Sequence, residues 1–270
     1  MWVDTHCHLS SPEFDTDRDE LWKSAREAGV SALVLPAVDI DDCAAAAACA
    51  ARYPGVLPAY GLHPFYAAQM DEDDLARLAF LLERDRPCAL GEIGLDGIRQ
   101  DIDPERQKAL FLAQLRLARQ FDLPVLLHAR RALDVALACL RQTRVKGGIA
   151  HAFNGSGEQA RQLLRLGFCL GFGGVLTYPG SRRIRAMAVA LPETALVLET
   201  DAPYLPPRWL REKEKARAAP RNTPAELSGI GRRLAALRNV APEHLAAVTR
   251  KNAEALLPEL AAQNQSALSE

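Results

Sequence analysis

Apolar residues along this chain fall into two alternating patterns. Short runs of near-continuous hydrophobic character at 2–5, 32–37, 57–62, 88–93, 124–127, 148–150, 168–173 and 195–199 predict eight strands. Between and after them lie longer stretches with helical spacing of apolar positions, at 17–28, 40–52, 71–84, 104–121, 131–143, 157–166, 181–191 and 224–237, with a ninth at 242–257. Local punctuation agrees: Pro104 suits a first helical position after Asp103, Ser156 caps the helix that follows it, and Gly29 and Gly167 stand where helices stop. Parallel strands need crossover connections, so a strict strand-then-helix alternation predicts a parallel sheet under helices, of the α/β class. Eight repeats favour closure into a (β/α)8 TIM barrel. An open doubly wound sheet would bring a glycine-rich phosphate turn after its first strand, and His6-Cys7-His8 stands there instead. The expected organisation is one domain over residues 1–258 and a polar tail over 259–270.

Composition narrows the class without changing it. With 270 residues, 49% hydrophobic and 25% charged, the chain reads as an ordinary globular protein able to build a large core. A net charge of −1 excludes binding to nucleic acid by bulk positive charge, so any such substrate must be attracted locally. No apolar run approaches the roughly 20 residues of a membrane span. Met1 leads straight into the first strand without the signature of a secretory leader, so the expected address is the cytoplasm. Six cysteines are spread without a Cys-x-x-Cys pair, which speaks against a zinc ribbon or thioredoxin-like motif; they are expected to be small buried apolar residues.

The candidate chemistry lies at strand ends. Of six histidines, five follow an apolar run at its C-terminal end: His6 and His8 after the first, His63 after the third, His128 after the fifth and His151 after the sixth. All C-terminal strand ends of such a barrel open on one face, so these residues are expected to converge. Asp4, Glu92, Asp96, Glu199 and Asp201 occupy matching places on strands one, four and eight. Imidazoles with carboxylates make a site for divalent metals such as zinc, manganese or nickel. In an extended chain His6 and His8 leave on the same side, with Cys7 pointing away. The expected arrangement puts His6, His8 and Asp201 around one ion and His128 with His151 around a second, with Glu92 bridging, because two cations a few ångströms apart need a shared anion. Metal-held water is acidified towards neutral pH, and Asp201 is placed to accept its proton.

Asp4-Thr5-His6-Cys7-His8-Leu9, Gly61-Leu62-His63-Pro64, Gly91-Glu92-Ile93-Gly94-Leu95-Asp96, Pro124-Val125-Leu126-Leu127-His128, His151-Ala152-Phe153-Asn154-Gly155 and Glu199-Thr200-Asp201-Ala202-Pro203-Tyr204-Leu205 together resemble the successive motifs of the TatD family of metal-dependent deoxyribonucleases. The resemblance spans nearly the whole chain. It implies a barrel of the amidohydrolase superfamily, two divalent ions (magnesium, manganese or zinc) and phosphodiester hydrolysis of DNA. By position it matches the metal ligands to His6, His8, Glu92, His128, His151 and Asp201. Departures at Gly97, at His128-Ala129-Arg130 and at Asn222-Thr223-Pro224 touch loops that shape substrate choice and remove no ligand.

Around this set, His63 is expected to serve catalysis by bonding a phosphate or leaving group, and Arg130, Asn154 and Tyr204 to contact substrate. Residues 154–157 and 171–174 are candidates to present backbone N–H groups to an anion. Asp96 is a candidate partner for a ligand histidine, whereas His244 lies on the last helix, away from the other histidines. The segment 206–222 carries Arg208, Arg211, Lys213, Lys215, Arg217 and Arg221 near Trp209 and Tyr204, a mixture suited to single-stranded nucleic acid. The expected activity is a metal-dependent deoxyribonuclease that trims single-stranded DNA in the 3′–5′ direction, with no membrane or obligate protein partner. The alternative is hydrolysis of an amide, lactone or ester, in a small molecule or an aminoacyl-tRNA, by the same metal-activated water.

Overall fold

The eight predicted runs pair in chain order. In the computed structural model, which describes residues 1–99, 101–213 and 220–261, the strands β1 (Trp2–Asp4), β2 (Val30–Pro36), β3 (Val56–Tyr60), β4 (Ala89–Asp96), β5 (Val125–Arg130), β6 (Gly148–Ala150), β7 (Phe168–Phe172) and β8 (Leu196–Leu198) form one parallel sheet in sequential order. The last strand meets the first through Thr5, whose N–H and hydroxyl both donate to the Leu198 carbonyl, at 2.9 and 3.0 Å. This brings the two edge strands together and makes a (β/α)8 barrel. Strand β4 runs three residues past the predicted end because Gly94, Leu95 and Asp96 still pair with His128, Ala129 and Arg130, which carries both strands up to the mouth.

The helices α1 (Arg18–Glu27), α2 (Ile40–Arg52), α3 (Glu72–Asp85), α4 (Pro104–Gln120), α5 (Leu133–Gln142), α6 (Gly157–Arg165), α7 (Arg182–Ala190), α8 (Arg208–Lys213), α9 (Leu227–Arg238) and α10 (Pro242–Leu256) follow the predicted order, with α8 as an added short element. Side chains at helix starts satisfy otherwise unpaired backbone N–H groups: Ser156 accepts from Gln159 N, as the sequence predicts, and Asp71 forms a reciprocal box with Asp74. Two packed layers result. Outward residues such as Leu33, Leu35, Leu90 and Leu127 meet the helices, while Val3, Val34, Leu126, Ile149 and Val197 form a separate cluster with Leu257 and Leu260. Asn252 of α10 donates to the Leu196 carbonyl at the start of β8, so the end of the chain seals the barrel at the pole opposite the mouth. Leu260, which falls within the predicted tail, is thus fully buried; residues 262–270 lie outside the described residues. All six cysteines are buried and unpaired, as expected. Among the described residues no helix is long and apolar enough to cross a membrane.

Candidate metal centre

Beyond β1 the chain is held between its two neighbours by backbone N–H groups: Thr5 donates to Leu198 and His8 to Ala202 on the β8 side, and Cys7 to Val34 of β2. His6 and His8 face the same interior, where both approach Asp201 Oδ1, while Cys7 Sγ faces the Ala202 carbonyl instead. Asp201 is delivered by the chain after β8 in a left-handed conformation (φ 57°), which a short acidic side chain tolerates better than most. It is fixed by a 2.8 Å bond from its N–H to the His6 carbonyl. Buried Asp4 ties the same two segments: its carboxylate accepts from His6 N, Thr200 N and the Thr200 hydroxyl, at 3.2, 2.9 and 2.6 Å.

The predicted ligands converge. His6 Nε2, His8 Nε2 and His151 Nε2 lie 3.7, 3.5 and 3.7 Å from one oxygen, Asp201 Oδ1. Glu92 is shared between two groups: Oε2 lies 3.1 Å from His6 Nε2 and 3.8 Å from His8 Nε2, whereas Oε1 lies 2.7 Å from His128 Nδ1 and 3.6 Å from His63 Nε2. His151 falls differently from expectation. Its ring stacks on His6 with centroids 3.6 Å apart and is 6.5 Å from that of His128, so it joins the His6 side of Glu92; His63 takes the place beside His128.

The spacing fits a metal. Ligands of a tetrahedral ion at about 2.1 Å stand about 3.4 Å apart, close to the separations around Asp201 Oδ1 and too long for most of these contacts to be hydrogen bonds. Several uncharged imidazole lone pairs facing carboxylate oxygens are stable only with protons or a cation between them. His6 Nδ1 is buried without a hydrogen-bond partner, so that ring has no second contact to fix its tautomer and can keep its proton there while Nε2 turns its lone pair inward.

Electrostatics follow from this crowding. Burial alone would raise the Glu92 carboxyl, but nearby His6 and His63 and its close contacts with ring nitrogens of His128 and His6 hold it well below the usual carboxylate range. Burial opposes the charge of His151, yet Glu199 and Asp201 push it up to about 10. His6 goes down, through burial and the charge of His151. Glu92 therefore stays ionised, and protonated His151 stands where a metal would supply positive charge.

Two supporting acids orient the rings. Asp96 Oδ2 lies 3.0 Å from His128 Nε2, turning Nδ1 to Glu92, and Gln107 braces Asp96 by bonding its backbone N–H and carbonyl. Glu199 lies 3.1 Å from His151 Nδ1 and accepts from Ala152 N at 2.7 Å. Sequence reasoning placed Glu199 at the right strand end but gave it no role. The signal was the glycine run: a Cβ on Gly171 would sit 2.2 Å from Glu199 Oε2, and one on Gly174 would sit 2.4 Å from the Leu205 carbonyl. These glycines make room for Glu199 and the loop after β8, rather than cradling an anion as expected.

His63 differs from the other histidines. Its Nδ1 accepts from Phe65 N at 3.1 Å, so the neutral ring carries its proton on Nε2, the atom that faces Glu92. Tyr204 is exposed, its ring 5.6 Å from that of His8, and Arg130 is exposed at the end of β5. Asn154 is exposed but already holds Arg183 through Oδ1 at 2.7 Å. Of the predicted basic segment, Arg208 pairs with Glu212, and Arg221 turns away to Asp17. Lys215 and Arg217 lie outside the described residues. His244 is exposed and paired with Glu193.

Known proteins resemble the chain over most of its length. The family model described as TatD related DNase matches residues 3–258. A metal-dependent hydrolase of Escherichia coli K12, YjjV, described as uncharacterized, is 40% identical over 209 residues, 76% of this chain and 80% of that protein. A 3′-5′ ssDNA/RNA exonuclease, TatD, of Cronobacter sakazakii is 37% identical over 256 residues, 94% and 96% of the two chains. The crystal structure of the E. coli YjjV protein superposes with a TM-score of 0.88 at 34% identity, covering 95% of this chain and 98% of that one.

Proposed function

We infer the function from a premise that these matches establish: the chain belongs to the TatD family and is a metal-dependent hydrolase. On that premise we propose that it hydrolyses phosphodiester bonds of single-stranded DNA from the 3′ end, at a centre of two divalent ions. The observation that carries this reading is the shared carboxylate of Glu92, whose two oxygens face two separate groups of imidazoles. His6, His8, His151 and Asp201 would hold one ion and His128 the other, with Glu92 between them. When bound, the ions supply Lewis acidity and an acidified water.

The chain's own residues supply the rest. Asp201, held ionised against its burial by His151, His8 and His6, is placed to take the proton of the attacking water. His63 presents Nε2–H at the same centre and can donate to a phosphate oxygen or to the departing sugar oxygen, a role that a ring already bonded through Nδ1 fits better than metal ligation. Tyr204 beside His8 offers an aromatic face to a base. Asp201→Asn, which keeps size and removes the proton acceptor, is expected to abolish cleavage of single-stranded DNA, as is chelation. Unchanged cleavage by that variant would remove Asp201 from the mechanism, and a metal-loaded enzyme inert on DNA but active on lactones or amides would replace the nuclease reading.

A further inference from the structure

The chain is close to neutral, yet its positive charge is unevenly spread. On the β7 and β8 side of the mouth, α7, α8 and α9 bring together Arg182, Arg183, Arg185, Arg208, Arg211 and Arg233. Among the described residues, only Arg208 has a carboxylate partner, Glu212. Arg183 is held by the Asn154 side chain and Arg185 by the carbonyls of Tyr178 and Pro179, while Arg211 lies over the Tyr178 ring at 5.9 Å. Arg182, Arg183, Arg208, Arg211 and Arg233 are all exposed.

These residues form one surface. Tyr178 joins them, since its hydroxyl donates to the Pro206 carbonyl at 2.8 Å, and Arg208 N donates to the neighbouring Thr177 hydroxyl, also at 2.8 Å. A cavity of about 420 Å³ opens between Thr177, Arg208, Trp209, Glu212 and Arg233. Three of the arginines stand in the first turn of α7, which has no acidic residue there. Cations are disfavoured at that end of a helix, where backbone N–H groups already carry positive charge. Like charges gathered with Glu212 as their one carboxylate partner among the described residues, three of them on the wrong end of a helix dipole, cost stability that a bound anion would return.

We propose that this arginine surface is a second binding site for the nucleic-acid strand, holding the phosphates of nucleotides that trail away from the metal centre past Tyr204. It rests on the nuclease reading for the identity of the strand. Tyr204 and Arg208 are four residues apart, so at most about 14 Å of chain separates the aromatic ring beside His8 from the first arginine. Tyr178 and partly buried Trp209 stand among the charges and exposed Tyr204 adjoins them, a mixture of cations and aromatic rings that single strands bind without sequence preference. The site explains how a protein of net charge −1 attracts a polyanion: the attraction is local and adjoins the centre.

The test separates binding from cleavage. A fluorescein-labelled 15-nucleotide oligothymidylate is titrated by anisotropy in EDTA, across a range of salt, with the full chain, with the double variant Arg182→Glu/Arg233→Glu, and with the control Arg119→Glu/Arg144→Glu. The control makes the same charge change on exposed residues at the opposite pole. Neither Arg182 nor Arg233 makes a side-chain hydrogen bond or ion pair among the described residues, so their reversal spares the fold. The surface variant is expected to bind at least about tenfold more weakly, with its salt dependence shallower by about 1.4 in log–log slope, some 0.7 for each lost phosphate contact. The control is expected to match the wild type. Equal behaviour of the two variants overturns the site, as does displacement of the oligonucleotide by polyglutamate of equal charge at equal concentration, which would mark a surface for acidic protein. If binding follows the predicted pattern and metal-loaded enzyme cuts no strand, the nuclease reading fails and the binding site stands.

Discussion

Gly171→Ala tests whether Glu199 belongs to the machinery of the centre. The added methyl would lie 2.2 Å from Glu199 Oε2 and 2.8 Å from its carboxyl carbon, about 1 Å or more inside ordinary contact. Glu199 is 1% exposed, so its carboxylate has no solvent to retreat into. It must leave its bond from Ala152 N, its place beside His151 Nδ1, or both. A hydrogen bond to a buried charge contributes about 1.5–3 kcal/mol, and partners that orient metal-ligating histidines typically contribute 10- to 100-fold in metal affinity. Calorimetric titration of metal-free protein with zinc is therefore expected to show a 10- to 100-fold weaker site in Gly171→Ala. Gly180→Ala, where a Cβ meets nothing within 4 Å, is expected to change nothing. Glu199→Gln, isosteric and free of any clash, should show the same loss, and shortening the acid with Glu199→Asp in the Gly171→Ala background should recover part of it. Wild-type affinity in both Gly171→Ala and Glu199→Gln would refute the role assigned to Glu199.

Other consequences follow from single contacts. His63→Gln is expected to lower kcat by about 10²–10⁴-fold while leaving bound metal per chain unchanged; loss of metal would make His63 a ligand instead. Asp96→Asn removes the charge that orients His128 and should weaken metal binding 10- to 100-fold, without the loss of fold that a purely structural role would produce. Asp4 is pushed by burial to about 7, against hydrogen bonds from Thr200 and His6 that favour its ionised form. The folded chain then holds a proton that the unfolded chain releases near pH 4, so the contribution of Asp4 to metal-free stability should fall by about 4 kcal/mol as pH rises from about 4 to 7. In urea melts Asp4→Asn should lack that part of the decline; parallel profiles for the two proteins would contradict it.

Much of the barrel was legible because each strand is short, apolar and bounded, and helices such as α4 and α6 carry their own caps. The convergence of the candidate ligands was legible for the same reason: closure puts strand ends together whatever the helices do, so His6, His8, Glu92, His128, His151 and Asp201 could be gathered one strand at a time. Their grouping could not. That His151 stacks on His6 and His63 stands by His128 depends on how Glu199 and Phe65 N hold each ring, and neither contact leaves a local periodicity. The basic segment shows the same limit. Arg221 looks equivalent to Arg211 in sequence, yet Asp17, 204 positions away, draws it to another face. Arg182, Arg183, Arg185 and Arg233 join the positive surface from helices that carried no motif.

The most direct test of the proposed activity follows the two ends of one strand. Single-stranded DNA labelled at the 3′ end in one sample and the 5′ end in another is incubated with magnesium, manganese or zinc, and the products are resolved over time. The predicted result is immediate release of the 3′ label as a mononucleotide and stepwise shortening of the 5′-labelled strand, both absent after chelation and in Asp201→Asn. Strands left intact under every metal, or cut with the 3′ label retained on long fragments, would contradict a 3′-end phosphodiesterase at this centre.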